Sequence, residues 1–564
     1  MELYVKEFFE KLSENPDMDK RAIANLKIEL CRTHASVVKI PTDIELLLRA
    51  DPETAKKFRR NLQTKPNRSL SGVTPVAIMT SPHPCPHGKC TMCPGGIDSP
   101  WGDKPQSYTG SEPATMRGER AGYDAYLQVF NRLEQYMVTG HVADKVDLII
   151  MGGTFPAREK EYQDDFIMDS FKAMNDFSEL FFKEGEFDID SFKEFFELPG
   201  DIFEEGRTPR LQKKMLELKG NSDLKTEQKR NETAVVRCIG MTIETRPDWG
   251  FLEHGNVMLE QGATRIELGV QSVYDDALAS VKRGHTVVDN KKSIQELKDI
   301  GFKLNFHMML GLPGVDLKRD IDGLNALFTD TDYCPDMLKL YPLMVMPGTL
   351  LQKDFEDGSF KPISTSEAAE VIADFLPEVE PYCRVMRVQR DIPSYKILGG
   401  VDKTNLRQYV DNLMKTKGTE SRDIRARETG RSKKTDKPSI VLVVQEYESS
   451  GGKEFFISME DIANDTIAGF CRLRFPGKQL RDEITSTTAI IRELHVYGAA
   501  IGLGDHDEGS SQHKGFGKKL MAKAEEIAKE NGYDKMIVIS GIGVKEYYRI
   551  LGYADDGPYL GKTL

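Results

Sequence analysis

The sequence contains no apolar run that approaches the ~20 residues needed to cross a membrane. It has eight cysteines in 564 residues, three of them within one short segment, and no second Cys-x-x-Cys pair. So few cysteines argue against a disulfide framework and for a reducing compartment. Residues 1–12 mix charged and apolar side chains as an amphipathic helix does, which argues against a signal peptide. We therefore expect a soluble cytoplasmic protein.

Charge is distributed unevenly along the chain. The net charge is −12, yet residues 382–435 contain 14 Lys or Arg against 6 Asp or Glu, and residues 1–70 contain 14 against 11. Basic segments on an acidic chain are typical of a localised site for a polyanion such as nucleic acid. The alternative is an ordinary solvated charged surface.

The length and the pattern of apolar runs predict several α/β domains. At ~150 residues per domain, 564 residues suggest three or four. Short apolar runs alternate with amphipathic helical stretches between residues 76 and 380, which indicates a parallel sheet covered by helices. The six candidate strands are 76–79, 146–151, 238–243, 264–270, 303–309 and 337–341. Six such units predict a partial (β/α)6 barrel.

The remaining segments divide the chain further. We expect a helical, basic N-terminal region over 1–75, a helical insertion over 166–232 within the barrel domain 76–380, a basic linker over 381–435, and a mixed α/β domain over 436–564. In that last domain, strands are followed by Lys514-Gly515-Phe516-Gly517-Lys518 at the start of a helix. Such a helix start presents backbone N–H groups and a positive dipole to a pyrophosphate.

The three clustered cysteines are the strongest chemical signal. Cys85, Cys90 and Cys93 have the spacing Cys-x4-Cys-x2-Cys. Three thiolates on one loop can hold three irons of a [4Fe–4S] cluster and leave the fourth iron for S-adenosylmethionine. A zinc knuckle or purely structural cysteines are the alternatives, but zinc sites normally pair two ligand couples.

Polar and glycine residues follow the predicted strands. Gly152-Gly153 follows the second strand, Glu244 the third, and Gln271 ends the fourth. In parallel barrels the chemistry lies at the C-terminal ends of the strands. These residues are therefore predicted to lie beside the cysteine loop.

Five blocks of sequence carry a family resemblance. They are Gly152–Phe155, Ile243–Asp248, Glu267–Ser272, Arg387–Pro393 and Arg492–Gly498. Over essentially its whole length the chain resembles the catalytic subunits of Elongator, which modify the wobble uridine of tRNA. The region 436–564 also resembles the GNAT acetyltransferases. The resemblance implies a radical S-adenosylmethionine (SAM) barrel followed by a GNAT-like domain.

The resemblance also implies a reaction. A 5′-deoxyadenosyl radical takes hydrogen from the methyl group of acetyl-CoA, and the resulting carbon radical adds to C5 of uridine 34. Oxidation and thioester hydrolysis then leave a carboxymethyl group. The shared position of Glu244 and Gln271 at the strand ends predicts that both contact SAM. The resemblance places Tyr548 near the thioester, and a purely structural packing role is the alternative. The acetyl methyl must reach the barrel mouth, so we expect the two sites to face each other.

The resemblance assigns further residues to ligands. Acetyl-CoA would contact Lys145, Glu493, Leu494, His495, Val496, Lys514, Gly515, Phe516, Gly517, Lys518 and Tyr548. The two basic segments, in turn, predict that tRNA phosphates contact Lys65, Arg68, Arg384, Arg387, Arg390, Arg422, Arg425 and Arg427. The radical chemistry also implies an electron donor as a partner, and a homodimer is one possible oligomeric state.

Some alternatives remain open at this stage. Ser421 stands where many relatives have cysteine, which weakens any zinc site in the linker, although Cys334 and Cys383 are kept as candidate ligands. Both could instead be buried small apolar residues. The chain could also be a lysine acetyltransferase with an iron–sulfur scaffold, or a tRNA-binding subunit without chemistry.

Overall fold

The computed structural model describes residues 1–65, 72–200, 204–428, 438–497 and 515–564. Four N-terminal helices pack around a core that includes Tyr4, Phe8 and Leu26. Their bounds are α1 (Glu2–Glu14), α2 (Lys20–Thr33), α3 (Asp43–Arg49) and α4 (Pro52–Leu62). Asp19, Thr42 and Asp51 cap the last three helices by accepting backbone N–H bonds. The helical N-terminal prediction is confirmed for the described residues.

Seven parallel strands form the large sheet, in the order β1-β2-β5-β6-β7-β8-β9. Their bounds are β1 (Thr74–Met79), β2 (Lys145–Met151), β5 (Arg237–Thr245), β6 (Arg265–Gln271), β7 (Lys303–Leu310), β8 (Met337–Pro342) and β9 (Arg384–Arg387). Most of their residues are buried, because helices cover one side and the barrel interior the other. The six predicted strands and the partial barrel are confirmed.

Helices connect the barrel strands. They are α5 (Pro113–Arg120), α6 (Ala125–Val138), α11 (Leu252–Glu260), α12 (Asp275–Ser280), α13 (Val287–Asp299), α14 (Leu317–Thr329), α15 (Leu351–Glu356), α16 (Thr365–Phe375) and α17 (Leu406–Lys417). The segment 381–435, expected to be a linker, differs from the prediction: it supplies β9 and α17. Val385 of β9 is fully buried, so this short strand belongs to the barrel core despite its flanking arginines.

The insertion between β2 and β5 is mostly helical, as expected. It comprises α7 (Lys160–Phe181), the hairpin β3 (Phe182–Lys183) and β4 (Glu186–Phe187), α8 (Ile189–Phe195), α9 (Arg207–Lys219) and α10 (Leu224–Asn231). Phe181, Phe192 and Phe196 pack edge to face or tilted against one another. This phenylalanine core explains the unusual Phe content of the segment, since each buried ring contributes about 1.5–3 kcal/mol.

The C-terminal domain is a second, mixed sheet in the order β10-β11-β12-β13-β14-β16-β15. Its elements are β10 (Ile440–Ser449), β11 (Gly452–Asp461), β12 (Thr466–Phe475), β13 (Thr488–Val496), α18 (Phe516–Glu530), β14 (Lys535–Val538), α19 (Lys545–Ile550), β15 (Ala554–Asp556) and β16 (Tyr559–Thr563). Only β13 and β14 run parallel. Their pairing ends at Ile491 and Val538, where β14 ends, and β13 continues to Val496.

Buried charges join the two domains. Arg472, Arg474 and Arg492 of the C-terminal sheet are almost fully buried. Arg492 donates to both carboxylate oxygens of Asp336, at 2.6 and 2.9 Å, and Arg474 pairs with Asp299 at 2.5 Å. Asp336 comes directly before β8, so the C-terminal sheet packs against the N-terminal ends of the barrel strands.

Among the described residues, no helix combines the length and the apolar character required to cross a membrane.

Candidate active site

A cavity of about 520 Å³ occupies the interior and C-terminal end of the barrel. Cys85, Cys90 and Cys93 line it together with Gly153, Glu244 and Gln271. These residues come from the loop after β1 and from the ends of three other strands. The structure therefore brings together the cysteine loop and the predicted strand-end residues Gly153, Glu244 and Gln271. Gly152 directly precedes Gly153 in the chain.

The cysteine loop is held by backbone hydrogen bonds. Gly88 N–H donates to Cys85 O at 3.0 Å, and Cys93 N–H donates to Cys90 O at 3.1 Å. Between them, Thr91 N–H donates to Val281 O at 3.0 Å, which ties the loop to the turn after α12. All three cysteines are outside disulfides, so their sulfurs remain available as ligands.

The surroundings of the sulfurs suit a negatively charged cluster. Ser107 N–H donates to Cys93 Sγ at 3.2 Å, and the Arg283 guanidinium lies 3.7 Å from Cys90 Sγ. Burial raises the pKa of the Cys85 thiol, whereas Arg283 and Arg246 act in the opposite direction. Metal ligands must be deprotonated, and N–H donors and cations beside the sulfurs favour that state. The three cysteines thus fit an iron–sulfur cluster.

Two glycines at the end of β2 have backbone conformations that favour glycine. Gly152 and Gly153 have φ of +128° and +107°, which side chains rarely allow. A Cβ on Gly152 would lie 2.1 Å from Thr80 Oγ1. Glycine is therefore required here by local packing as well as by conformation.

Gln271 at the end of β6 also has left-handed backbone, with φ of +67°. The register of β6 against β7 shifts between Leu268 and Gln271. Such a residue costs about 1–3 kcal/mol and commonly marks a functional site. Here the irregularity places Gln271 in the cavity wall.

Glu244 at the end of β5 is partly buried and lines the cavity. Tyr108 Oη donates to Glu244 Oε2 at 3.0 Å, and Lys339 Nζ lies 4.0 Å from Oε1. Burial raises the pKa of Glu244 to about 7, with Glu267 adding to the rise and Lys339 opposing it. This carboxyl group therefore titrates near neutral pH.

Sequence reasoning missed a neighbouring polar cluster. Asn305 and His307 both contact Glu267 at 3.0 Å, and Lys339 forms a direct ion pair with it. Burial would raise the pKa of Glu267, but Lys339 and His307 hold it well below its usual range. The sequence did contain a signal for this cluster. Glu267, His307 and Lys339 are polar residues within otherwise apolar strands, and such residues must face a polar interior.

Besides the cysteine triad, the described residues contain a group of three potential metal ligands whose ligand atoms all lie within 4.8 Å of one another: Glu244, Glu267 and His307. The ammonium of Lys339 already supplies the positive charge at this place. The group does not include Cys334 or Cys383, which are buried, and Cys334 Sγ contacts the backbone oxygen of Glu448 at 3.5 Å. The candidate zinc ligands thus resemble buried apolar residues.

The arginines expected to contact tRNA fall into different environments. Arg384 is paired with Glu428 at 3.1 Å and Tyr497 Oη at 2.9 Å, and Arg427 is buried beside Glu460 at 3.0 Å. Both side chains form ion pairs within the fold, which argues against the prediction that they contact phosphates. Arg387 and Arg390 instead line the cavity.

The other predicted RNA contacts are more peripheral. Lys65 is exposed, and Arg422 is exposed and paired with Asp465 at 2.9 Å. Arg425 donates to Met386 O at 2.7 Å. Arg68 lies outside the described residues.

The predicted acetyl-CoA contacts on β13 follow the end of its pairing with β14. Leu494, His495 and Val496 lie beyond the last β13–β14 pair. Burial lowers the pKa of His495 to about 4. The side chain of Glu493 bonds Arg472 at 2.9 Å and Lys303 at 3.4 Å.

The start of α18 has the expected geometry for the described residues. Gly515 caps the helix with φ of +69°, and Phe516 and Gly517 form its first turn. A Cβ on Gly517 would lie 2.5 Å from Tyr547 Oη. Lys518 is exposed, Tyr548 is buried, and Lys514 lies outside the described residues.

The two predicted sites do not face each other at the barrel mouth. Glu493 contacts Lys303, the first residue of β7, whereas the cysteine loop follows the C-terminal end of β1. The eight residues of β7 span about 26 Å. Lys145, the first residue of β2, lies at the same barrel end as β13. The barrel interior therefore separates the two sites.

Comparisons with known proteins agree with this architecture. Three family profiles match: the Radical SAM superfamily over residues 82–322, the Radical_SAM C-terminal domain over 335–416, and the Acetyltransferase (GNAT) family over 422–553. The second and third matches divide the predicted linker between the two domains.

Individual relatives match over nearly the full length. The tRNA uridine(34) acetyltransferase of Methanocaldococcus infernus is 44% identical over 571 positions, 100% of this chain and 99% of that protein. Elongator complex protein 3 of Homo sapiens is 39% identical over 534 positions, 93% of this chain and 90% of that protein. A solved structure of Methanocaldococcus infernus Elp3 with an N-terminal deletion has a TM-score of 0.71 and 41% identity, covering 88% of this chain and 100% of that one. The chain therefore belongs to the Elongator complex protein 3 family and carries a radical SAM domain followed by a GNAT domain.

Proposed function

We propose that this protein is a tRNA-modifying enzyme that uses SAM and acetyl-CoA to install a carboxymethyl group at C5 of uridine 34. The main support for this proposal is that the three cysteines, the end of β2 and Glu244 line one cavity. The same chain also has a GNAT domain. Relatives named for uridine 34 support the choice of substrate.

Each part of the cavity has a distinct task in this proposal. Cys85, Cys90 and Cys93 would hold the cluster, which together with SAM supplies a 5′-deoxyadenosyl radical when bound. The backbone at Gly152-Gly153 and the Glu244 carboxylate would bind the polar end of SAM. Gln271 would orient it from β6, the strand next to the one that carries Glu244.

The cavity walls also suit a nucleobase. Tyr341, His307 and Met309 line it with flat or apolar surfaces, and Lys339 offers an N–H donor. A base flipped out of a loop is read by this combination of stacking and hydrogen bonding. Arg387 and Arg390 at the same wall would contact the RNA backbone.

The reaction requires the acetyl group to reach this cavity from the other end of the barrel. The ion pairs Arg265–Asp147, at 2.8 Å, and Lys303–Glu493 lie between the two sites. We propose that these side chains bind the incoming thioester arm and exclude water from the barrel interior.

Anaerobic reconstitution tests the function. The purified chain would be supplied with iron, sulfide, a reductant, SAM, acetyl-CoA and tRNA, followed by nucleoside mass spectrometry. We expect 5-carboxymethyluridine at position 34, and none with a Cys90→Ala variant. Acetylation of protein lysines without SAM, with unmodified tRNA, would favour the lysine acetyltransferase alternative.

A further inference from the structure

One large aromatic side chain projects into solvent next to the barrel cavity. Tyr395 is 80% exposed and lies in the turn Ser394–Lys396. Single exposed apolar residues are common on protein surfaces. Tyr395 differs because the turn that carries it is firmly attached to the cavity wall.

The attachment is apolar on both sides of the turn. Ile392 and Ile397 pack against Met344 and Met346. Three of these four side chains, Ile392, Met344 and Met346, line the cavity itself. Tyr395 is therefore held at the cavity rim on a short, braced turn.

Polar contacts fix the same turn from the other side. Lys396 Nζ donates to Thr109 O at 3.3 Å and lies 4.0 Å from the Trp101 ring centroid. Leu398 N–H donates to Val345 O at 2.8 Å. A phenol ring on such a turn loses little entropy when it binds a flat ligand, since its support is already ordered.

The side chains around Tyr395 are positively charged, which favours an anionic ligand. Arg387 and Arg390 line the cavity wall, and Lys396 lies beside Tyr395. Aromatic rings beside cationic side chains are the pattern by which proteins bind single-stranded nucleic acid, with bases stacked and phosphates neutralised.

We propose that Tyr395 stacks on an unpaired anticodon-loop base next to the uridine that enters the cavity. The proposal rests on the proposed function. Flipping one base out of a loop removes its stacking from a neighbour, and an aromatic side chain at the rim replaces that lost contact. Tyr395 is a positioning residue, because it contacts the substrate RNA away from the reacting atom.

Binding of a fluorescently labelled anticodon stem-loop provides the test. Tyr395→Ala in the full chain should raise the Kd about 10-fold, the scale of one lost base–aromatic stack. Tyr395→Phe should bind like wild type, because stacking needs the ring and not the hydroxyl. Tyr409→Ala is the matched control. Tyr409 is 42% exposed on α17, no residue of which lines the cavity, whereas Ile392, three residues before Tyr395, does.

Two further readouts separate stacking from charge or misfolding. The slope of log Kd against log salt should stay at the wild-type value in Tyr395→Ala, because no phosphate contact is lost. 2-Aminopurine placed beside uridine 34 should be quenched on binding to wild type and Tyr395→Phe, and less by Tyr395→Ala.

The outcomes distinguish this proposal from the function on which it rests. Wild-type affinity in Tyr395→Ala, or equal weakening in Tyr395→Phe and Tyr395→Ala, would overturn the stacking role alone. A wild-type chain that neither binds nor modifies the RNA would count against the proposed function.

Discussion

Glu493 Oε1 of the GNAT domain lies 3.4 Å from Lys303 Nζ at the start of β7. Burial would raise the pKa of this carboxyl group, but Lys303 and Arg472 lower it to about 2. The contact shows which end of the barrel the GNAT domain covers. It also means that the barrel lies between the two chemical centres, so a shared reaction depends on a firm interface between the domains.

Asp336 should be essential to that interface. Asp336→Ala removes the buried carboxylate that pairs with Arg492 and Arg472 and leaves Arg492 with Glu454 as its acidic partner. It should lower the free energy of unfolding by about 3–5 kcal/mol. Urea denaturation followed by circular dichroism would measure it. Asp465→Ala is the control, because the exposed Asp465–Arg422 pair should contribute less than about 1 kcal/mol. Equal losses in both variants would contradict the assigned role.

Glu244 should make stability depend on pH around neutrality. Its pKa is raised from 4.5 to about 7, so between these values the folded protein holds a proton that the unfolded chain has released. Unfolding free energy should therefore fall as pH rises through this window, by up to about 3 kcal/mol.

Glu244→Gln isolates this effect. The variant keeps an oxygen that can accept from Tyr108 but cannot ionise, so its gain in stability over wild type should grow from pH 5 to pH 8. Denaturation curves for both proteins at the two pH values would show it. A constant difference would mean that Glu244 does not titrate in this range.

The barrel and the cysteine loop could be predicted because each depends on local pattern. Apolar runs at regular spacing predict parallel strands, and strand ends meet at one edge, so Gly153, Glu244 and Gln271 were placed beside the cysteines. Contacts between residues that are distant in the chain could not be predicted in this way. The sequence alone did not indicate that Arg384 and Arg427 form ion pairs within the fold, because their acidic partners Glu428 and Glu460 are brought close only by the tertiary structure.

The position of the GNAT domain relative to the barrel could not be predicted from local sequence pattern either. It depends on buried pairs such as Arg492–Asp336 and Arg474–Asp299, which are separated by more than a hundred residues in the chain. Arginines within strands were visible in the sequence, but not the surface of the barrel that they contact.

Removing one cluster ligand should abolish iron binding. Cys85→Ala, Cys90→Ala and Cys93→Ala should each lose the broad brown absorbance of a reconstituted cluster and the formation of 5′-deoxyadenosine. Iron content and visible spectra after anaerobic reconstitution would measure this. Cys334→Ala is the control and should keep its iron, since Cys334 is buried elsewhere in the barrel. Full iron content in a triad variant would refute the assignment.

Gly152→Ala should separate SAM binding from cluster binding. The added methyl would meet Thr80 Oγ1 at 2.1 Å in a backbone conformation that alanine rarely adopts, which displaces the end of β2. We expect near-normal iron content but at least about a 10-fold loss of SAM cleavage, equivalent to ~1.4 kcal/mol of lost binding. Gly314→Ala, where an added Cβ meets nothing within 4 Å, is the control for positive-φ strain. Equal cleavage in the two variants would move the SAM site elsewhere.

Transfer of deuterium should show that the two centres share one acetyl-CoA. With acetyl-CoA deuterated in its methyl group, deuterium should appear in 5′-deoxyadenosine, because the hydrogen is taken from that methyl. Gly517→Val should block CoA at the start of α18, where even a Cβ would contact Tyr547 Oη, and should abolish the transfer while sparing iron content. Lys303→Met should reduce the transfer without affecting SAM cleavage if the acetyl group passes through the N-terminal end of the barrel. Normal transfer in Lys303→Met would place the route elsewhere, and deuterium retained entirely in acetylated lysine would favour the acetyltransferase alternative.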